Sequence, residues 1–186
     1  IAPEVFRQVL GQYPTGVAAI TGTDSSGDPI AMVVGTFSSV SLDPPLVSFM
    51  PTRTSGSYAR LLTAGVLRAN ILSMEQESVC RALARSGGAE KFGDVEWDRS
   101  PHGTPMLHGS SAWVEFTIER RIEAGDHDIV IGRVVDLGVG DGGLPLLFLG
   151  GGYGRYTPHS RIMPTTADSL TQIRWAEAAK PELERL

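Results

Sequence analysis

Residues 113–122 read Trp-Val-Glu-Phe-Thr-Ile-Glu-Arg-Arg-Ile, and this stretch decides the class of fold. Val114, Phe116 and Ile118 alternate with polar residues, so the apolar side chains lie on one side of an extended chain. A period of two predicts an antiparallel strand with one apolar face and one face in water. A turn and a second β-rich run at 129–135 follow directly, so we expect the two strands to pair.

Further short apolar runs, separated by glycine and proline, lie on both sides of this predicted pair. Strands and helices do not alternate regularly among them, which argues against a parallel α/β sheet. The sequence therefore favours a mainly β fold, an antiparallel barrel with peripheral helices. The additional predicted strands are 17–21, 30–34, 46–50, 66–72 and 146–149, and the predicted helices are 4–12, 55–64, 75–84 and 168–186.

Composition excludes several classes of protein. The chain has 186 residues, of which 41% are hydrophobic, and a formal net charge of −5. Because nucleic-acid binding needs a basic surplus, we expect no nucleic-acid partner. The lone Cys80 excludes an internal disulfide, and no apolar run approaches the roughly 18–20 residues of a membrane span. The first residues show no signal-peptide pattern, so we expect a cytoplasmic protein without a membrane partner.

Residues 51–57, Pro-Thr-Arg-Thr-Ser-Gly-Ser, lead directly into a predicted helix. Their four hydroxyl groups, Arg53 and the free N–H groups of a helix start could together bind a phosphate. Alternatively, Ser55 only caps the helix, and the segment taken alone fits both interpretations equally. In residues 32–46, small hydroxyl residues precede an Asp-Pro-Pro turn, so a flat ligand could approach the backbone there. An ordinary strand and turn is the alternative.

Two more segments could carry chemistry. In Gly125-Asp-His-Asp128 the imidazole lies between two carboxylates, which could orient it for hydrogen bonding or proton transfer. A solvated turn has the same pattern. The glycine-rich run 150–156 could place Tyr153 against a ligand or form a flexible loop, and it lacks the βαβ context of a dinucleotide fingerprint. We expect no metal site, because the histidines lack paired spacing and one cysteine supplies no thiolate cluster.

Several short motifs follow one another along the chain. They are Phe6-Arg7, Tyr13-Pro-Thr-Gly-Val17, Thr36-Phe-Ser-Ser-Val-Ser-Leu-Asp-Pro-Pro-Leu46, Asn70-Ile-Leu72, Lys91-Phe92, Gly125-Asp-His127, and Pro145-Leu146 followed by Gly-Gly-Tyr153. In this order they resemble the short-chain flavin reductase family, the reductase components of two-component flavin-dependent monooxygenases. The resemblance implies a flavin reductase-like domain over residues 1–160, followed by a C-terminal tail and helix over residues 161–186.

The resemblance also implies a fold and an activity. The fold is the antiparallel FMN-binding split β-barrel, usually a homodimer. The activity is that of an NAD(P)H-dependent flavin reductase, which transfers hydride from NADH (or NADPH) to FMN (or FAD) and supplies diffusible reduced flavin to a separate monooxygenase. His127 is the implied catalytic residue, on the nicotinamide side. The cofactor-binding positions, with Arg53 and Ser55 added on chemical grounds, are Pro29, Ile30, Ala31, Met32, Val33, Gly35, Thr36, Met50, Pro51, Thr52, Arg53, Ser55, Gly56, Ser57, Ala82, Leu83, His127 and Tyr153.

The sequence departs from the family pattern at two places that concern flavin binding. Residues 33–35 are Val-Val-Gly where many relatives have a polar pair, and Ala82-Leu83 replaces an Arg-Phe or Phe-Ala pair. Fewer side-chain bonds to flavin suit a protein that must release it. Two other functions stay open at this point. One is a barrel that retains FMN as an electron carrier without NADH activity, and the other is a non-enzymatic β-barrel that binds a small apolar ligand.

Overall fold

The computed structural model describes residues 1–156, so the predicted tail and helix within 161–186 lie outside the described residues. The helices are α1 Pro3–Leu10, α2 Gly56–Leu61 and α3 Glu77–Leu83, with a short 3-10 helix at Ala89–Phe92. The strands are β1 Thr15–Gly16, β2 Ala18–Thr23, β3 Pro29–Val34, β4 Ser38–Ser41, β5 Leu46–Phe49, β6 Leu67–Ile71, β7 Trp97–Arg99, β8 Pro105–Leu107, β9 Ala112–Ala124, β10 His127–Val139, β11 Leu146–Leu149 and β12 Gly152–Arg155. In residues 1–156, no helix combines the length and the apolar character that crossing a membrane requires.

Seven strands form the main sheet in the order β3-β2-β6-β9-β10-β5-β4, and every neighbouring pair is antiparallel. The pair that the alternating stretch predicts is its longest part, because β9 and β10 have 13 residues each. Their register shifts between Ile131 and Gly132 and again between Val134 and Asp136, which are bulges that bend the hairpin. Two small sheets, β1-β11-β12 and β7-β8, complete the fold. The prediction of a mainly antiparallel β fold is confirmed.

Two buried clusters hold these elements together. The first contains Phe116 of β9, whose ring packs with centroid distances of 6.3 Å to Phe37 and 6.0 Å to Phe49. The second joins α3 to the 3-10 helix and β11 through Leu83, Phe92 and Leu146. Each fully buried side chain of this size stabilises the fold by about 1.5–3 kcal/mol relative to its exposed state. Helices α2 and α3 are thereby fixed on either side of β3.

The expectation that Glu115 lies on a face of β9 in water is wrong. Glu115 is 1% exposed, because Thr104 and His102 from the β7–β8 connection cover it. Of the two alternatives for the glycine-rich run, the flexible loop is excluded for Gly152–Arg155, since these residues make strand β12 and pair with β11. A strand's alternation predicts which residues share a face, but it does not show whether another hairpin covers that face.

Candidate functional site

A cleft of about 620 Å³ opens between β3, the start of α2 and the segment that follows α3. It brings together six of the positions that the sequence suggested, which lie far apart along the chain. Those positions are Met32, Val33, Ser55, Gly56, Ser57 and Leu83. None of its remaining lining residues is among the cofactor-binding positions that the resemblance implies, although Thr54 and Lys91 lie in motifs named above. They are Thr54, Arg60, Ala84, Arg85, Ser86, Gly87, Gly88 and Lys91.

The start of α2 is held in place from two directions. Ser55 caps the helix, since its Oγ accepts a hydrogen bond from the Tyr58 backbone N–H at 3.2 Å. Ser55 therefore caps the helix, and because the same residue also lines the cleft, the phosphate interpretation stays a prediction. The Tyr58 hydroxyl donates to Asp128 Oδ2 at 2.6 Å, which ties α2 to β10. Burial and this bond raise the pKa of Tyr58 to about 12, so the phenol keeps its proton near neutral pH.

Lys91 is the most buried cation of the cleft. Its Nζ donates to the Ala31 carbonyl at 3.3 Å, to Ser57 Oγ at 3.1 Å and to the Leu83 carbonyl at 3.4 Å. One side chain thus joins β3, α2 and α3. Burial lowers the pKa of Lys91. The sequence offered one signal for this residue, the Lys91-Phe92 motif, but nothing in the spacing connects it to Ala31 or Ser57.

A second group of suggested residues meets beside the turn between β9 and β10. Thr52 forms an isolated antiparallel bridge with His127. The Asp128 backbone N–H donates to the Pro51 carbonyl at 3.1 Å. Thr36 joins from the other side, because its Oγ1 accepts from the Met50 backbone N–H at 2.9 Å. These backbone bonds place the suggested segment 50–53 next to the imidazole.

Gly35 precedes Thr36 at a close approach of two chain segments. A Cβ added at this glycine would lie 2.6 Å from Thr15 Oγ1, so the space beside β1 admits no larger residue without a shift. The close packing of Thr15 holds the end of β3 against the small sheet.

His127 and Arg53 have carboxylates as their nearest partners. His127 Nδ1 lies 2.8 Å from Asp126 Oδ1, and the hydrogen bond lowers the pKa of Asp126. The imidazole is half exposed, so its other nitrogen can contact a ligand. The Arg53 guanidinium lies 3.2 Å from Glu123 Oε1 and 3.6 Å from Asp128 Oδ1. Arg53 therefore braces the turn and does not line the cleft.

The side chains of the remaining suggested residues do not line the cleft. The Tyr153 hydroxyl lies 3.1 Å from Cys80 Sγ, and the Arg81 guanidinium stacks on its ring at 4.8 Å. Ala82 packs into the same apolar cluster as Cys80. In β3, Pro29 lies at the start of the strand, and Ile30 and Ala31 are buried. These two can offer a ligand only their backbone.

A polar cluster that the sequence did not suggest lies under the β7–β8 hairpin. His102, Glu115 and Asp136 place oxygen or nitrogen atoms within 4.8 Å of one another, a spacing that could hold a metal ion. The Arg68 guanidinium, however, donates to Glu115 Oε1 at 3.0 Å and stacks over Trp113 at 4.0 Å. Since the Arg68 guanidinium already pairs with Glu115, we interpret the cluster as an ion-pair network around one buried carboxylate, with His102 and Asp136 exposed.

Comparison with known proteins agrees with this architecture. A family model described as flavin reductase like domain matches residues 10–157. A flavin reductase of Pseudomonas putida is 46% identical over 156 residues, which cover 84% of this chain and 91% of that protein. HsaB of Rhodococcus jostii, the reductase subunit of a flavin-dependent monooxygenase, is 39% identical over 170 residues, covering 91% of this chain and 86% of that protein.

A solved structure extends the comparison to three dimensions. It is the Streptomyces globisporus NADH:FAD oxidoreductase SgcE6 in complex with NAD and FAD fragments, which is 32% identical. The two chains superpose with a TM-score of 0.78, over 85% of this chain and 95% of that one. This likeness confirms the predicted split-barrel fold. From sequence match and fold together, the chain belongs to the flavin reductase like domain family.

Proposed function

We propose that this protein is an NAD(P)H-dependent flavin reductase that passes hydride to FMN or FAD and releases the reduced flavin to a separate monooxygenase. The observation that carries the proposal is the cleft beside β3, where small residues, hydroxyl groups and a buried cation meet in a chain of this family. Its volume of about 620 Å³ lies within the roughly 300–1,000 Å³ typical of small-molecule sites.

The residues of the cleft suit a flat, phosphorylated ligand. Met32 and Val33 offer an apolar wall at β3, and Ser55 and Ser57 offer hydroxyl donors near the Lys91 ammonium. We assign the first pair to the flavin ring and the second to its phosphate. When bound, the flavin supplies the hydride acceptor and the reduced nicotinamide supplies the hydride. The protein's contribution is to hold the two rings in contact and to exclude water.

His127 is the residue that we assign to the nicotinamide. Its bridge with Thr52 lies beside the segment that follows β5, and its half-exposed ring is oriented by Asp126. A hydrogen bond from the imidazole to the nicotinamide nucleotide would position the donor without any covalent step. Arg53 and Asp128 then act through the turn, by fixing where the ring lies.

We include a partner monooxygenase and a homodimer in the proposal. The name of the relative HsaB, a reductase subunit of a flavin-dependent monooxygenase, supports the separate partner. The second copy is supported by apolar surface, because α1 buries none of its residues and leaves Phe6 and Val9 more than half exposed. Leu137 and Val139 of β10 are exposed to a similar degree. The use of a reduced nicotinamide nucleotide, which cells hold in the cytoplasm, supports a cytoplasmic location.

Steady-state kinetics with the purified full chain tests this function. We expect NADH or NADPH oxidation that depends on added FMN or FAD, measured as loss of NADH absorbance, with a flavin-free reaction as the control. Riboflavin should serve as a poorer acceptor, since it lacks the phosphate. If flavin stayed bound through gel filtration and NADH were not oxidised, the protein would be an electron carrier. If no flavin bound at all, the reductase function would be wrong.

A further inference from the structure

Lys91 is a buried cation without a buried counterion. It is 8% exposed, and its three contacts are two backbone carbonyls and one hydroxyl, all of them neutral. None of the ion pairs found within residues 1–156 includes it. A buried charge costs free energy unless an opposite charge or a full set of hydrogen bonds offsets that cost. Lys91 has the hydrogen bonds but lacks the opposite charge.

Three other charged groups lie near Lys91, namely Arg60, Arg85 and Glu90, and of these Arg85 lines the cleft as an exposed residue. Arg60, the cation on the other side of the cleft, pairs with Asp24. The Glu90 carboxylate accepts a hydrogen bond from the Gly88 backbone N–H at 2.8 Å. Glu90 still favours the charged form of Lys91, but it lies too far away to form an ion pair. Within residues 1–156, the lining of the cleft therefore has three basic side chains, Arg60, Arg85 and Lys91, and no carboxylate.

The choice of lysine at this position is itself informative. Only two of the sixteen basic residues in the sequence are lysines, Lys91 and Lys180, and the others are arginines. An ammonium is a compact charge with three donors, whereas a guanidinium is a wide planar fork. The three acceptors that converge on Lys91 come from three different elements. This convergence matches the three donors of an ammonium better than the planar fork of a guanidinium.

Ser57 connects this cation to the open part of the cleft. Because Ser57 Oγ accepts from Lys91 Nζ, its own O–H proton is free to point to another acceptor. A phosphate oxygen at this place would receive that proton and would also supply the missing negative charge. We propose that Lys91 is the specificity-determining residue that selects phosphorylated flavins over riboflavin, by its charge and by orienting Ser57. This inference rests on the proposed function, since it concerns the same cleft.

Binding of FMN and of riboflavin to matched variants tests the selection. Lys91→Met removes the charge and keeps most of the side-chain volume. We expect its dissociation constant for FMN, measured by flavin fluorescence, to rise about 10–100-fold, as for loss of one charge-assisted contact. The dissociation constant for riboflavin should change less than about threefold. If Lys91 only braced the three elements, both flavins would be weakened equally, and the proposal would be overturned.

Arg99→Met is the control for the loss of one positive charge outside the cleft. Arg99 also donates to neutral acceptors, Thr23 Oγ1 at 3.1 Å and the Gly27 carbonyl at 3.0 Å, but it does not line the cleft. We expect this variant to keep the wild-type preference for FMN over riboflavin. An equal loss of preference in the Arg99 variant would show that long-range charge, and not the position of Lys91, produces the selection.

The wild-type chain offers a second measurement that needs no buried substitution. With lysine labelled at the side-chain nitrogen, only two side-chain signals arise, and Lys180→Arg assigns the one from Lys91. We expect FMN and inorganic phosphate to shift the Lys91 signal and riboflavin to leave it nearly unchanged. A Lys91 signal that responds equally to FMN and riboflavin would overturn the proposal even if Lys91→Met failed to fold. If no flavin were reduced while inorganic phosphate still shifted the signal, the proposed function alone would fail.

Discussion

At the scale of single residues, three histidines contact carboxylates in residues 1–156, but their surroundings differ. His102 lies against the buried Glu115, and His108 lies 2.8 Å from the exposed Asp98. Only His127 also forms a bridge with the segment that precedes α2. A carboxylate neighbour by itself therefore does not indicate a functional histidine. The position of His127 beside the 50–53 segment is what distinguishes it from the other two.

We expect His127→Ala to raise the KM for NADH and to lower kcat, while FMN affinity stays close to wild type. A contact that also positions the hydride donor contributes to the transition state as well as to binding, so both constants should change. The measurement is NADH-dependent FMN reduction, with flavin binding followed separately by fluorescence. His108→Ala is the matched control, because that ring lines a different cavity, of about 360 Å³. Wild-type kinetics for His127→Ala would exclude the nicotinamide contact, and a selective loss of FMN binding would place the ring at the flavin.

A second residue-scale prediction concerns the ion pair of Glu115 with Arg68. Glu115→Ala leaves the buried guanidinium unpaired, and such a loss typically costs about 3–5 kcal/mol of the free energy of unfolding. Urea denaturation of the variant and of the wild type measures this difference in the free energy of unfolding. Glu119→Ala, on the same strand, is the control, since its pair with Arg133 is partly exposed and worth about 0–1 kcal/mol. Equal losses in the two variants would mean that the Arg68 pair contributes no more than a surface pair.

The same carboxylate predicts the direction of acid sensitivity. Burial alone would raise the pKa of Glu115, but hydrogen bonds from Ser100, Thr104, His102 and Arg68 hold it below the ordinary value of 4.5. A folded pKa below the unfolded one stabilises the fold above about pH 4.5, and this stabilisation is lost as the pH falls through the folded value. We expect the free energy of unfolding to decline with acid below pH 4.5, and to decline less steeply in Glu115→Gln. An unchanged slope in that variant would assign the acid sensitivity to other carboxylates.

At the scale of elements, the β9–β10 hairpin depends on a glycine at its bulge. A Cβ at Gly132 would lie within 3 Å of three Phe116 ring atoms, in the centre of the first core cluster. We expect Gly132→Ala to lower the free energy of unfolding by about 1–3 kcal/mol, the usual cost of overpacking. Thermal unfolding measures this. Gly154→Ala in β12 is the control, since nothing lies within 4 Å of the added carbon there. An unchanged melting temperature for Gly132→Ala would mean that the ring moves aside freely.

The sequence predicts those elements whose pattern lies within one short stretch of chain. The alternation in β9 and the turn after it predicted the central hairpin, and 146–149 matches β11. It missed β7 and β8, which have three residues each and too few side chains to show a period. In the site, Ser55 and Ser57 were found because they lie in one short segment. Lys91 was named in a motif, but its place in the cleft could not be predicted, because it depends on contacts with Ala31 and Ser57 that only the folded chain brings together.

At the scale of the whole molecule, helix α1 and strand β10 expose large apolar side chains, among them Phe6 and Val9. Large exposed apolar patches are unusual on monomers and mark interaction surfaces. We expect a sedimentation mass near twice the 19.9 kDa of one chain. The double variant Phe6→Glu and Val9→Glu should shift it toward one chain, because burying carboxylates in an interface is unfavourable. Ser25→Glu, in an exposed turn, is the control. A mass near 19.9 kDa with full activity would show that the homodimer is not needed.

The composition of the cleft also sets how long a ligand stays. Its lining contains no aromatic side chain within residues 1–156, so no ring of the cleft itself can stack on the ligand. A reductase that turns over about ten times a second must release its product at least that often. The residence time of the product is then about 0.1 s or shorter. With association rate constants of about 10⁵–10⁷ M⁻¹s⁻¹, it corresponds to a dissociation constant of about 1–100 μM or weaker. The absence of stacking partners thus favours rapid exchange, in which the reduced flavin leaves the cleft within about a tenth of a second.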